Sequence, residues 1–357
     1  MEKSTSDRLI WVDFIRIVSA FLVIGIHVAD VYSVPTPDRV GNVNWLITNF
    51  YDNFLRCAVP FFIMISGYLL LHKKQPLEKS MFTRIWRILV SLVAWSVIYL
   101  LVRKIYIGST LDEQPITIFT GIQCLLQGKV CVHLWFLYMI VSLYLVAPIL
   151  QSYLQSASQQ NIRYLIRFWW FGALIWPILS LIVTKSFEIQ RINFDIYIVA
   201  GCVGYFVAGY YYGDKVISGK ICTFFALLLV ILSVAATVTV FCMGDRGFSR
   251  LYLYYLLEPV FTILFFMVLK YLGSRPWLTV SFVAPFLQRI AALTFGIYLV
   301  HILVLRVLSD GILGFSLSLT SFTPLLSLPA VSLVIFMLSG IVIFAGQKIP
   351  ILRQIFL

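Results

Sequence analysis

Runs of about twenty apolar residues recur from one end of this chain to the other. A helix of that length rises about 30 Å, the thickness of the hydrocarbon layer of a bilayer. Lipid offers no hydrogen-bond partners, so each run must satisfy its backbone internally, as a helix. The pattern predicts ten spans, at about 9–31, 49–71, 83–105, 133–154, 162–184, 194–213, 221–243, 251–272, 289–308 and 325–346. The expected fold class is an all-α integral membrane protein, a bundle of about ten transmembrane helices. It forms a single polytopic domain over residues 1–357, with no separate soluble domain. Composition agrees, with 61% hydrophobic and only 12% charged residues, against about 25% charged in ordinary soluble domains.

The net charge of +12 would suggest nucleic acid in a soluble protein, but here topology accounts for much of it. An even number of spans puts both ends on one side. With that side inside, its segments hold sixteen basic residues against nine on the other, and Arg16 and Arg56 lie within spans. Basic residues collect on the cytoplasmic side, so both termini are expected in the cytoplasm. The first span is too long for a signal peptide and no small-residue cleavage site follows it, so it is read as retained. No nucleic-acid partner is expected.

The first span, "RLIWVDFIRIVSAFLVIGIHV" at residues 8–28, carries an acid, a base and an imidazole: Asp13, Arg16 and His27. Arg16 and His27 are eleven residues apart, which is three turns plus about 20°, with an axial rise of roughly 16 Å. Asp13 is one turn before Arg16 and can pair with it. All three share a helix face. Ionisable groups are costly in lipid and face a bundle interior or a water-filled path. The stripe reads either as a polar channel or as local pairing plus a hydrogen-bonded core histidine.

Other polar residues lie within or at the ends of later spans. Glu258, in "LYYLLEPVFTILFF", needs a partner or a proton at that depth, and Arg56 is one candidate. Ion pairing and substrate binding fit it equally well. Tyr298 and His301 are three residues apart on one face of the ninth span. They suit substrate contact, or an interfacial histidine beside an aromatic belt. His133 and Trp135 open the fourth span, where tryptophan also collects for purely interfacial reasons. Arg84 and Arg87, in "FTRIWRIL", sit at the inner end of the third span. They fit phosphate recognition and positive-inside topology alike.

The pattern of Arg16 and His27 with Asp13 before them, the segment "VPFFIMISGYLL" (59–70), "HLWFLYMIVSLYLVAPIL" (133–150) and "TFGIYLVHILV" (294–304) resemble, in that order, the membrane-bound acyltransferase 3 family. The likeness runs along nearly the whole chain and is nearest to stand-alone members. It implies an O-acyltransferase, most simply an O-acetyltransferase, in the bacterial cytoplasmic membrane. The donor would be acetyl-coenzyme A or another acyl-coenzyme A, bound as substrate and not as a resident cofactor. The acceptor would be a hydroxyl of a cell-surface polysaccharide or its lipid-linked precursor. His27 would be the catalytic base, or an acyl-carrying nucleophile, with Arg16 and Asp13 supporting it. Arg16, Arg84 and Arg87 would bind the donor's phosphates. His133, Trp135, Glu258, Tyr298 and His301 would contact the acceptor. No metal site is expected from four scattered histidines.

The competing reading is a multi-span transporter or exporter of a glycan or small solute, since intramembrane Asp, Glu, His and Arg also serve such proteins. Transporters are often built from two related halves, and no half-to-half similarity is visible. Phosphate-loop, dinucleotide and zinc-protease motifs do not occur.

Overall fold

The computed structural model describes residues 9–33, 42–73, 78–106, 110–111, 114–115, 117–179, 201–243 and 247–349. Twelve α-helices run through them: α1 (Ile10–Ser33), α2 (Val43–Leu55), α3 (Ala58–Leu71), α4 (Glu78–Tyr106), α5 (Ile118–Leu126), α6 (Trp135–Ser156), α7 (Gln159–Trp170), α8 (Cys202–Gly213), α9 (Gly219–Met243), α10 (Gly247–Gly273), α11 (Val283–Ser309) and α12 (Pro324–Gly346). The only β structure among the described residues is a two-residue antiparallel ladder, Thr110–Leu111 against Gln114–Pro115. The protein is an all-α, multi-span membrane protein. Nine helical segments among the described residues are long and apolar enough to cross a bilayer. The start of the predicted sixth span, 194–213, lies outside the described residues, and the rest of it forms α8.

The second span differs from its expected form. It begins at Val43 instead of residue 49, and it breaks between α2 and α3 at Arg56 and Cys57. Pro60 explains the break, because it has no N–H to return to the Arg56 carbonyl and its ring crowds that carbonyl. Asn42 starts the segment by accepting a bond from the Asn44 backbone N–H, the usual means of satisfying a helix start.

The chain divides into two compact units, Met1–Leu69 with Ala157–Gly340, and Leu70–Ser156 with Ile341–Leu357. In the first, α1 is central and packs against α2, α10 and α11. Trp11, at its first turn, meets Phe266 of α10 edge-on at 6.0 Å. Further along, a Cβ on Gly25 would lie 2.6 Å from Leu55 Cδ2. Helices α3 and α8 cross closer still. A Cβ on Gly67 would lie 1.9 Å from the Phe206 carbonyl oxygen, and one on Gly209 would lie 2.0 Å from that of Met64. Small residues let backbones touch, which is how membrane helices gain packing without a hydrophobic driving force.

In the second unit α4 packs on α6 and α5. The Gln151 side chain donates to the Lys73 carbonyl at 2.8 Å, and the Tyr138 hydroxyl donates to the Leu125 carbonyl. Helix α5 lies in the segment between the third and fourth expected spans. Thr117 and Thr120 cap its start reciprocally, and Ile118, Phe119, Ile122 and Leu126 are exposed.

Candidate active site

Helix α1 presents four ionisable side chains, not three. Taking Asp13 as the origin, Arg16, His27 and Asp30 fall within an arc of about 100°. Arg16 Nη1 is 3.4 Å from Asp13 Oδ1, with Asp13 2% and Arg16 30% exposed. His27 Nδ1 is 3.4 Å from Asp30 Oδ2. A carboxylate only accepts, so Nδ1–H donates and Nε2 keeps its lone pair while the ring is neutral. Asp30 is 57% exposed, so the pair orients the ring more than it adds energy. The sequence signal for Asp30 was the i,i+3 spacing after His27.

Helix α11 brings a second imidazole to the first. The His27 and His301 rings lie 5.3 Å apart at 41°. His301 Nδ1 is 2.6 Å from the Tyr298 carbonyl oxygen. That oxygen only accepts, so Nδ1 carries the proton and Nε2 keeps its lone pair while the ring is neutral. His301 is 0% exposed, which excludes the reading of it as an interfacial histidine. Tyr298 is buried too, with its ring 5.9 Å from that of His301.

Glu258 sits partly buried on α10, next to Pro259. The Tyr205 hydroxyl of α8 and the Arg56 guanidinium are the polar groups that act electrostatically on its carboxyl. Arg56 is also paired closer to home: its Nε donates to Asp52 Oδ2 at 2.9 Å. Asp52 is 2% and Arg56 32% exposed. The ion pair that the structure gives Arg56 is thus with Asp52, whose i,i+4 spacing to Arg56 was the available signal. Behind them Asn53 donates to Ser233 Oγ at 3.0 Å, and Ser233 donates to the Phe50 carbonyl at 2.8 Å.

The remaining expected site residues belong to the second unit. Arg84 and Arg87 are exposed on the first turns of α4. Lys73 has its ammonium pushed below the usual lysine pKa, first by desolvation and then by the Arg84 charge. His133 is 2% exposed, with its ring edge-on to Tyr99 at 5.2 Å. Trp135, two residues on, is exposed. His27, Arg16, Asp13, Tyr298, His301 and Glu258 lie in the first unit; Arg84, Arg87, His133 and Trp135 lie in the second.

The sequence matches the acyltransferase 3 family, described as an acyltransferase domain, over residues 9–345. The chain belongs to the acyltransferase 3 family. No curated protein and no solved structure matches it. Family membership makes this a membrane acyltransferase and favours acyl transfer over the exporter reading. Three of the four segments that carried the resemblance lie on helices that form the geometry above: the Arg16–His27 pattern on α1, residues 59–70 on α3, and residues 294–304 on α11.

Proposed function

We propose that this acyltransferase moves an acyl group, most simply acetyl, from acyl-coenzyme A to a hydroxyl of a cell-surface glycan or its lipid-linked precursor. One observation carries the reading: an imidazole inside a membrane helix, held by Asp30 through Nδ1, lies 5.3 Å from a second imidazole on a face that bears Arg16 about 16 Å below. That distance is of the order of a pantetheine arm. Arg16, steadied by Asp13, contacts the donor's phosphate end in this reading. Arg84 and Arg87 are separately proposed as phosphate-binding charges, supported by their exposure and by the positive charge of Lys73 beside Arg84.

His27 Nε2 then takes the proton from the acceptor hydroxyl as its oxygen attacks the thioester carbon. The carbon–sulfur bond breaks, and the imidazolium returns the proton to the departing thiolate. An imidazole suits both steps because its ordinary pKa is near neutral. His301 and Tyr298 hold the acceptor beside His27. His133 and Trp135 are proposed as further acceptor contacts on the second unit. The proposed location is the bacterial cytoplasmic membrane with both termini cytoplasmic, supported by the sixteen-to-nine basic asymmetry. Among stand-alone members, the "HLWFLY" segment is similar to that of the enterobacterial common antigen O-acetyltransferase.

The test is incubation of the purified protein with acetyl-labelled acetyl-coenzyme A and glycan-bearing membranes. Label is expected in the glycan with the wild type and not with His27→Ala. Transfer by His27→Ala equal to the wild type removes the assignment. Mass spectrometry of surface glycans with and without the protein identifies the acceptor.

A further inference from the structure

We infer that Asp52, Arg56, Tyr205 and Glu258 form the subsite that takes a neutral sugar ring of the acceptor. The inference rests on the acyl-transfer reading of His27 and adds the chemical class of what that base deprotonates.

Height comes first. Gly25 of α1 packs directly on Leu55 of α2. Arg56 is one residue beyond Leu55 and His27 two beyond Gly25, a combined rise of only about 5 Å. Aromatic contacts set the third helix at the same level, since Phe54 meets Phe261 at 5.8 Å and Phe265 at 5.7 Å. Glu258 precedes Phe261 by less than one turn. The cluster and the imidazoles thus occupy one layer of the bundle.

Depth comes second. Arg56 is thirteen residues from Val43 and fifteen from Leu71, so it sits near the middle of its span. A guanidinium there that is 32% exposed cannot turn that surface to lipid without a penalty of several kcal/mol. Its open side, like that of partly exposed Glu258, must face polar space or a polar ligand.

Construction is the third point. Asp52 fixes the guanidinium from behind, and the Asn53–Ser233–Phe50 chain fixes the turn of α2 that carries Asp52. A purely structural ion pair needs neither the helix break nor the second carboxylate.

The donor and acceptor set then selects the ligand. Carboxylates accept from hydroxyls, while the guanidinium and the Tyr205 hydroxyl donate to them. Adjacent sugar hydroxyls, each both donor and acceptor, match that set. An anionic group does not, because Asp52 already answers the Arg56 charge. Phosphate or uronate parts of the glycan are therefore placed away from this layer.

The test uses the full-length protein in detergent with p-nitrophenyl glucoside, galactoside and N-acetylglucosaminide as neutral probes, and p-nitrophenyl glucuronide as the anionic one. Binding is read by tryptophan quenching without donor. At least one neutral probe should bind the wild type ten times more tightly than the glucuronide. Glu258→Gln should weaken that binding at least tenfold and leave the KM for acetyl-coenzyme A within twofold. Should Glu258→Gln fail to fold, Tyr205→Phe, which removes one hydroxyl, should weaken binding about threefold to fivefold. Equal binding of glucuronide, no binding of any neutral probe, or unchanged binding in the folded variants overturns the inference. The two readings separate cleanly. Sugar binding that responds to Glu258→Gln while His27→Ala still transfers acetyl leaves this subsite standing and removes the catalytic role of His27.

Discussion

Helices α1 and α9 are nearly the same length, 24 and 25 residues, and both are apolar enough to cross a bilayer. They do opposite work. In α9, Phe224, Leu227, Ile231, Val234, Val238 and Phe241 are exposed at alternating three- and four-residue spacing, one unbroken stripe. The stripe behind it, with Leu229, Ser233, Ala236 and Val240, is buried. Such a helix has a lipid face and a protein face. Over residues 10–30 of α1 the only fully exposed side chain is Asp30, and its apolar stripe of Ile10, Phe14, Ile17 and Phe21 is half-buried. A helix so largely enclosed by its neighbours can carry ionisable groups within its span. Polar residues in a span are thus informative by the company their helix keeps.

That contrast is open to direct attack. The largest effect is expected from His27→Ala, which should lower the initial rate of acyl transfer by about 10²- to 10⁴-fold, the usual worth of a positioned base. Unchanged membrane insertion, read by detergent-extracted yield and gel filtration, accompanies it. Arg16→Ala should raise the KM for acetyl-coenzyme A by roughly tenfold or more, because charge-assisted hydrogen bonds are worth about 1.5–3 kcal/mol. An unaltered KM would detach Arg16 from the donor. Asp30→Asn comes next, lowering kcat about threefold to tenfold with the donor KM unchanged, since an exposed carboxylate orients the ring without much electrostatic gain. On α9, Ser233→Ala should cost about 1 kcal/mol of stability through the lost bond to the Phe50 carbonyl, measured by thermal unfolding in detergent. Val238→Leu, on the exposed stripe, should change stability by no more than about 0.5 kcal/mol and leave the rate alone. A rate loss from Val238→Leu as large as that from Asp30→Asn would erase the distinction between the two helices.

Much of this was readable before any coordinates. Hydropathy alone located nearly every span, because in lipid the backbone has one solution. The face shared by Asp13, Arg16 and His27 followed from 3.6 residues per turn. What escaped was anything that depends on a neighbouring helix. The expected start at residue 49 left Asp52 near a span edge, whereas the helix begins at Val43 and carries it inward. His301 could be placed on a face but not against His27, since no local pattern encodes which faces meet. Tyr205 gave no signal because tyrosine is common in such helices. The break at Arg56 was legible in principle from Pro60, but within an apolar run a proline is often tolerated without one.

The crossing of α3 and α8 has a consequence for how this protein can fail. Gly67 touches the backbone of Phe206, and Phe206 is the neighbour of Tyr205. No space exists there for one added carbon. Gly67→Ala would force the two rods apart, and Tyr205 would be carried away from Glu258 without any change to either. The precision of the sugar-facing layer is therefore stored partly in a place that holds no polar group, where a single methyl acts as a lever on chemistry it never meets.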